Sequence, residues 1–202
     1  MKKFLLLLLV FVLIKGSYAE NKSTIILDSG HGGIDTGLIQ SDIKEKDLTL
    51  NIAKKIKDVI LENTKFKVFS TRLGDYNVSY EDRSTFANFN KGDVFLSFHI
   101  NNSSNSCIEI YYFMPIIETN TNSEIIKNWD AVQNEYINKS KNLALLIQEQ
   151  LEKYGLICKV GKCPSILLKS INMPAILIEF GFDIDKDQIS ESIYKGILEY
   201  IK

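Results

Sequence analysis

Short apolar runs alternate with amphipathic segments along nearly the whole chain after residue 23, and that alternation restricts the fold more than any other feature. "STIILD", "KVFST", "DVFLSFHI", "IEIYYF", "SILLK" and "PAILIEF" each read as strands. Between them lie helical stretches. In "DLTLNIAKKIKDVILEN", Leu48, Ile52, Ile56 and Ile60 recur every fourth residue, the spacing of one helix face. Ser79, with Asp82 three residues on, resembles a capping box opening a helix through "SYEDRSTFANFN". "SKNLALLIQEQLEKYG" is helical up to Gly155, and "ISESIYKGILEYI" closes the chain. Six strands interleaved with helices predict an α/β fold: a twisted six-stranded sheet, mostly parallel or mixed, flanked by helices in a single domain.

The first twenty residues follow a different rule. Lys2 and Lys3 precede an apolar stretch from Phe4 to Ile14, and Ser17 and Ala19 supply the small residues of a cleavage site. Residues 1–19 are therefore expected to be a signal peptide, leaving 20–202 as the exported domain. Loss of Lys2, Lys3 and Lys15 leaves 21 basic against 25 acidic residues, a net charge of −4. Such a charge does not suit nucleic acid. The expected location is the periplasm, the cell wall or the medium, with no membrane attachment after cleavage and a monomeric state. Cys107, Cys158 and Cys163 are odd in number and match no metal-binding spacing. Export permits a Cys158–Cys163 bridge. Three reduced, packed thiols are the preferred expectation.

"PIIETNTNSEIIKNWDAVQNEYIN" interrupts the pattern between residues 114 and 139. It reads as a surface insertion, either a decorated loop with a short helix near Trp129 or a flap over the active cleft. The second reading rests on its following "IEIYYF", which leaves the region of His99. Ile125, Ile126 and Trp129 would give it a small apolar face.

The chemistry gathers at strand ends. The chain has two histidines, and each follows or ends an apolar strand: His31 in the glycine-rich "LDSGHGGIDTG", His99 at the end of "VFLSFH". In α/β sheets the carboxyl ends of strands form the ligand crevice, so both imidazoles are expected on one face. The glycine loop has neither Gly-Lys-Ser/Thr nor G-x-G-x-x-G, which argues against a phosphate cradle. A serine-hydrolase arrangement is also missing. Two histidines and a carboxylate suit zinc. Asp35, Asp42, Glu45 and Asp47 are all candidates for the third ligand. Glu179 ends the apolar run "AILI", where a carboxylate is costly without a role or a partner. A proton acceptor beside a metal-activated water would supply one.

The blocks "ILDSGHGGIDTG", "EKDLTLNIAKKI", "VFSTR", "EDRSTFAN", "DVFLSFHIN" and "MPAILIEFGF" together resemble the zinc-dependent N-acetylmuramoyl-L-alanine amidases, amidase type 3, from Thr24 to Lys202. The resemblance implies one zinc per chain, held by His31, Glu45 and His99, and it selects Glu45 among the acidic candidates. It implies Glu179 as the catalytic glutamate and peptidoglycan as the substrate. It also implies a protein activator that could act on the 114–139 insertion, where Glu118, Glu124 and Glu135 are the candidate plugging carboxylates. Cys107 departs from the family's usual glycine before "IEIYYF". Asp28 is expected behind the metal site and Asn101 against substrate; turn-capping is the alternative for both. Arg72 and Arg83 are expected to form structural ion pairs. The rivals are a zinc peptidase acting on free peptides and an inactive wall-binding module.

Overall fold

The computed structural model describes residues 22–102, 107–115 and 132–202. The expected signal peptide, and Trp129, Glu118 and Glu124 of the insertion, lie outside these residues. In chain order the elements are β1 (Thr24–Ser29), β2 (Ile39–Gln40), β3 (Ile43–Lys44), α1 (Glu45–Asn63), β4 (Lys67–Ser70), α2 (Tyr80–Phe89), β5 (Val94–Ile100) and β6 (Ile108–Phe113). A 3-10 turn (Val132–Tyr136) then leads into α3 (Ile137–Lys153), β7 (Cys158–Cys163), α4 (Ile166–Lys169), β8 (Ala175–Phe180) and α5 (Lys186–Ile201).

Six strands form one sheet in the order β4-β1-β5-β8-β6-β7. β4, β1, β5 and β8 are mutually parallel, and β6 and β7 run the other way, meeting β8 antiparallel. The expected six-stranded mixed sheet is therefore present. Successive side chains of a strand point to opposite faces, and here they enter two unequal cores. Leu27, Leu96, Phe98, Ile110 and Ile178 pack with Ile52 and Ile56 of α1, Leu143 and Ile147 of α3, and Ile193 of α5. The other face carries Ile26, Phe95, Phe113 and Ala175, covered by Ala87 of α2 and by Leu167 and Leu168 of α4. Among the described residues, this second face is covered by the ten-residue α2 and the single turn α4, less helix than lies on the first. His99 and Glu179, in register with each other, alternate with Phe98 and Ile178 and so project from it.

Local signals explain most boundaries. Ser79 caps α2, its Oγ accepting from the Asp82 N–H at 3.0 Å and donating to the Asp82 carboxylate at 2.7 Å. α3 ends in a Schellman turn: the Gly155 N–H reaches Glu152 O, the Leu156 N–H reaches Leu151 O, and Gly155 sits at φ +79°.

Two strand expectations change. "SILLK" is the helical turn α4, capped by Ser165; Leu167 and Leu168 are both buried, which a helix permits and a one-faced strand does not. The sixth strand is instead "CKVGKC". It lies at the sheet edge, where lysines and a glycine are at home and the apolar signal is weak. No disulfide joins the cysteines; all three are free. Cys158 and Cys163 terminate opposite ends of one strand, about 17 Å apart at the usual rise per residue, well beyond bridging reach.

The described ends of the insertion also lie elsewhere than expected. β6 runs antiparallel to β8, with Tyr112 opposite Ile176, so residue 114 emerges at the sheet edge away from His99. The expectation that the segment begins close to the metal fails for this reason. Its far end is fixed there too. Gln133, fully buried, donates to Ile171 O and Met173 O at 2.9 Å and accepts from Ser140 Oγ at 2.6 Å. Residues 132–139 thus belong to the anchored domain, and Glu135 sits in that anchored turn. Gln133→Ala would leave two carbonyls and a hydroxyl buried without it, and is expected to cost about 1–3 kcal/mol in urea unfolding.

Candidate metal centre

β1 and β5 are neighbours whose chain continuations diverge: β1 leads to β4 on one side, and the chain leaves β5 toward the other. Such a switch point opens a crevice at the carboxyl ends of the strands. His31 follows β1 there, and His99 lies near the end of β5. Glu45, the first residue of α1, closes the group from the far side of the glycine loop. One ligand atom from each of these three residues lies within 4.8 Å of the others.

Glu45 is 2% exposed. Its Oε1 lies 2.9 Å from His31 Nε2 and 3.0 Å from His99 Nδ1, and accepts from the Ile100 N–H at 2.9 Å; Oε2 accepts from the Leu38 N–H at 2.8 Å. Burial alone would raise its pKa, but hydrogen bonds from the two imidazoles and the two N–H groups hold it well below the usual carboxylate range. Asp35 Oδ2 lies 2.8 Å from His31 Nδ1. Asp35 therefore orients the ring from behind and leaves Nε2 facing the centre, the arrangement that fixes a ligand tautomer. The other acidic candidates turn away: Asp42 and Asp47 are exposed.

The glycines clear room for these side chains. A Cβ on Gly30 would meet the His99 ring at 2.5–2.8 Å, and one on Gly37 would meet Glu45 Oε2 at 2.5 Å and His31 Cδ2 at 2.6 Å. His31 itself sits at φ +60°, an uncommon conformation for a side-chain-bearing residue. A buried arginine pair holds the loop in place. Arg83 pairs with Asp28 at 2.6 Å and donates to Ser29 O and His31 O. Asp28, fully buried, also accepts from Thr71 and Ser97 hydroxyls. It thus acts on the site through the backbone that Arg83 grips. Arg72, 1% exposed, donates to Ser29 O, Gly30 O, Lys46 O and Gly74 O. The expected ion pair is found for Arg83, whereas among the described residues Arg72 binds carbonyls. The Lys46 ammonium completes the clamp between Gly33 O and Asp75.

Glu179 lies beside His99 on one side and Glu109 on the other. Burial raises its pKa; His99 opposes the rise, and the Glu109 and Glu45 charges reinforce it. Glu109 accepts from Tyr111 Oη at 3.0 Å, and burial together with that carboxylate pushes the Tyr111 phenol up to about 12. Neither Glu109 nor Tyr111 was expected, since "IEIYYF" reads only as a strand with alternate residues outward. Two cavities flank His99. One of about 420 Å³ is lined by His31, Asp35, Asn77, Ser79 and Arg83, and one of about 280 Å³ by Ser165, Ile166, Leu177 and Glu179; Tyr80 and Leu167 border both. Asn101 lies just past β5, its N–H donating to Phe180 O at 2.7 Å, and it lines neither cavity.

A strand-end cleft with two imidazoles, a buried carboxylate and a second carboxylate one strand away defines a class of hydrolytic α/β domain. The chain belongs, more particularly, to the N-acetylmuramoyl-L-alanine amidase family, whose pattern matches residues 25–199. Among its relatives is the endolysin of Bacillus phage SPP1, 32% identical over 164 residues; the match covers 80% of this chain and 55% of that protein, so the chain spans about half of this relative. The N-acetylmuramoyl-L-alanine amidase of Clostridium difficile 630 superposes with a TM-score of 0.72 at 30% identity, over 90% of this chain and 98% of that one. The CwlD amidase of Clostridioides difficile, solved in complex with the GerS lipoprotein, gives 0.68 at 26% identity, over 89% and 98%.

Two outcomes test this geometry. Gly30→Ala should weaken metal affinity about 10–100-fold, the scale of lost ligand support, measured by competition with a chromogenic chelator. Arg83→Met, by stranding Asp28 in the interior, should destabilise the domain by about 3–5 kcal/mol in denaturant titration.

Proposed function

We propose that the chain hydrolyses the amide between the lactyl group of N-acetylmuramic acid and L-alanine of the peptidoglycan stem peptide, in cell-wall remodelling or daughter-cell separation. The observation that carries this reading is the convergence of His31, Glu45 and His99 in a cleft that also holds Glu179. The donor set fits zinc: two imidazoles and one carboxylate, with the fourth position left to water or substrate. When bound, the ion supplies Lewis acidity to the scissile carbonyl and to the attacking water.

The chain's own residues do the rest. His31 and His99 hold their nitrogens toward Glu45 Oε1, and Asp35 keeps the His31 ring from turning. Glu179 removes a proton from the water at its carboxylate and delivers it to the nitrogen of the departing L-alanine, as general base and then general acid. Its raised pKa suits it to both roles. Asn101, just beyond β5, is retained as a lesser proposal for contact with the substrate.

Action at the cell wall after export follows from the substrate. The GerS lipoprotein complex of CwlD supports a protein activator for this chain as well. The 114–139 segment is retained as a candidate place for it, on the ground of the segment's length alone. No described helix is long and apolar enough to cross a membrane.

His99→Ala should lose the metal by elemental analysis and lose hydrolysis of purified sacculi; full stoichiometric zinc in that variant would sink the ligand assignment. Glu179→Gln should fold, keep zinc and hydrolyse sacculi at least ~10²-fold more slowly, and digestion by the parent should release intact stem peptides with a free L-alanine amine. Cleavage within free peptides instead would favour a peptidase.

The same substitution has a stability signature. A carboxyl whose folded pKa is raised contributes stability below its unfolded value, near 4.3, and loses that contribution as pH rises through the folded value. In metal-depleted protein, Glu179→Gln should therefore melt above the parent at pH 7, and the difference should vanish below about pH 4.

A further inference from the structure

At the edge of the sheet opposite the metal ligands lies a third cavity, about 650 Å³, larger than either half of the active cleft. Gly92 and Asp93 precede β5 and Pro174 precedes β8, so it opens at the amino ends of the parallel strands. Along β5, Asp93 and His99 are separated by about 20 Å at the usual rise per residue.

Its lining excludes several ligands. One ammonium, Lys139, stands against one carboxylate, Asp93, so a polyanion finds no net positive field. Lys139 is drawn over the Tyr136 ring at 5.9 Å. Asp93 already accepts from the Thr24 N–H at 2.7 Å, and a lone carboxylate does not build a cation site.

Beside Ser23, Gly92 and the apolar Met173, Pro174 and Ile201, the rest of the lining is amide and aromatic. Asn138 and Asn142 lie one turn apart on α3, both exposed, and their side chains make no hydrogen bond to the described residues. Asn172 faces the same cavity and accepts from Tyr136 Oη at 3.0 Å. Each primary amide offers two donors beside an acceptor, the complement of hydroxyl and acetamido groups. The half-buried Tyr136 and Tyr200 add flat apolar surface with a polar tip, which suits the C–H face of a sugar ring. We infer that this cavity is a second binding site for a neutral, N-acetylated hexosamine chain, engaging the glycan at a distance from the amide being cleaved. The choice of an N-acetylated chain rests on the amidase reading. Holding a polymer at two points raises the effective concentration of the next scissile bond.

The test uses zinc-loaded Glu179→Gln protein titrated with tetra-N-acetylchitotetraose and followed by ¹⁵N–¹H spectra. Saturable shifts at the amides of Gly92, Asn138, Asn142 and Asn172 are expected; no shifts, or shifts confined to the Gly30–Gly37 loop and His99, would overturn the inference. Asn142→Arg, an exposed change to a good helix former, should abolish those shifts. In the otherwise unaltered enzyme it should slow hydrolysis of sacculi by about tenfold, through loss of the second contact, while hydrolysis of a soluble muramoyl peptide stays unchanged. Equal loss on both substrates, or no loss on sacculi, would overturn the site. If the parent enzyme hydrolyses neither substrate while the tetra-N-acetylchitotetraose shifts persist, the amidase reading falls and the glycan site stands.

Discussion

A carboxylate nearly sealed from water cannot remain charged without partners, and Glu45 draws four partners from three parts of the chain. His31 comes from the loop after β1, His99 and the Ile100 N–H from the end of β5, and the Leu38 N–H from the entry to the β2–β3 hairpin. Its position as the first residue of α1 adds the favourable end of the helix dipole. Because three separate segments supply these partners, the charge is satisfied only when the sheet, the loop and the helix are all in place. The same convergence that makes burial tolerable also gathers a donor set that could hold a metal ion.

Holding that loop is a separate task, and it falls to cations. Arg72 and Arg83 are both buried, and their guanidinium groups fan into the carbonyls of residues 29–31 at the end of β1. Burial depresses the pKa of Arg72, and the like charge of Arg83 adds to it. Two buried cations side by side are costly, and Asp28 offsets part of that cost by its direct pair with Arg83. The loop can then be poor in side chains of its own. Its rigidity comes from outside, and its glycines leave space for imidazole and carboxylate.

How much of this is legible in the sequence depends on which force sets each feature. Interior strands announce themselves because both faces are buried, which is why β1, β5 and β8 stand out as apolar runs. The edge strand β7 needs no such run and goes unseen. α4 is misread because a four-residue apolar stretch carries no period long enough to separate helix from strand. The histidines are legible from their place at strand ends. Glu45 is not separable from Asp47 by pattern alone: two residues along a helix is a rotation of about 200°, so one faces the ligands and the other water, but the phase is known only once the helix start is fixed. Glu109 is invisible in one dimension, since its meaning lies in register with Glu179 across a strand pair.

Strand direction was the hidden variable, and one signal for it was present. Only residues 101–107 separate β5 from β6, too few for the crossover that a parallel return requires, which takes a dozen residues or more. The chain must therefore turn back at the same edge, and β6 must descend. Two consequences follow from that reversal. Glu109 is carried to the ligand edge beside Glu179, so that the acid–base candidate has a histidine on one flank and a carboxylate on the other. The start of the insertion is carried to the opposite edge, where Gln133 pins the chain again before α3. A single short connection thus divides the domain into a chemical end and an anchoring end, with a face of polar side chains available at each.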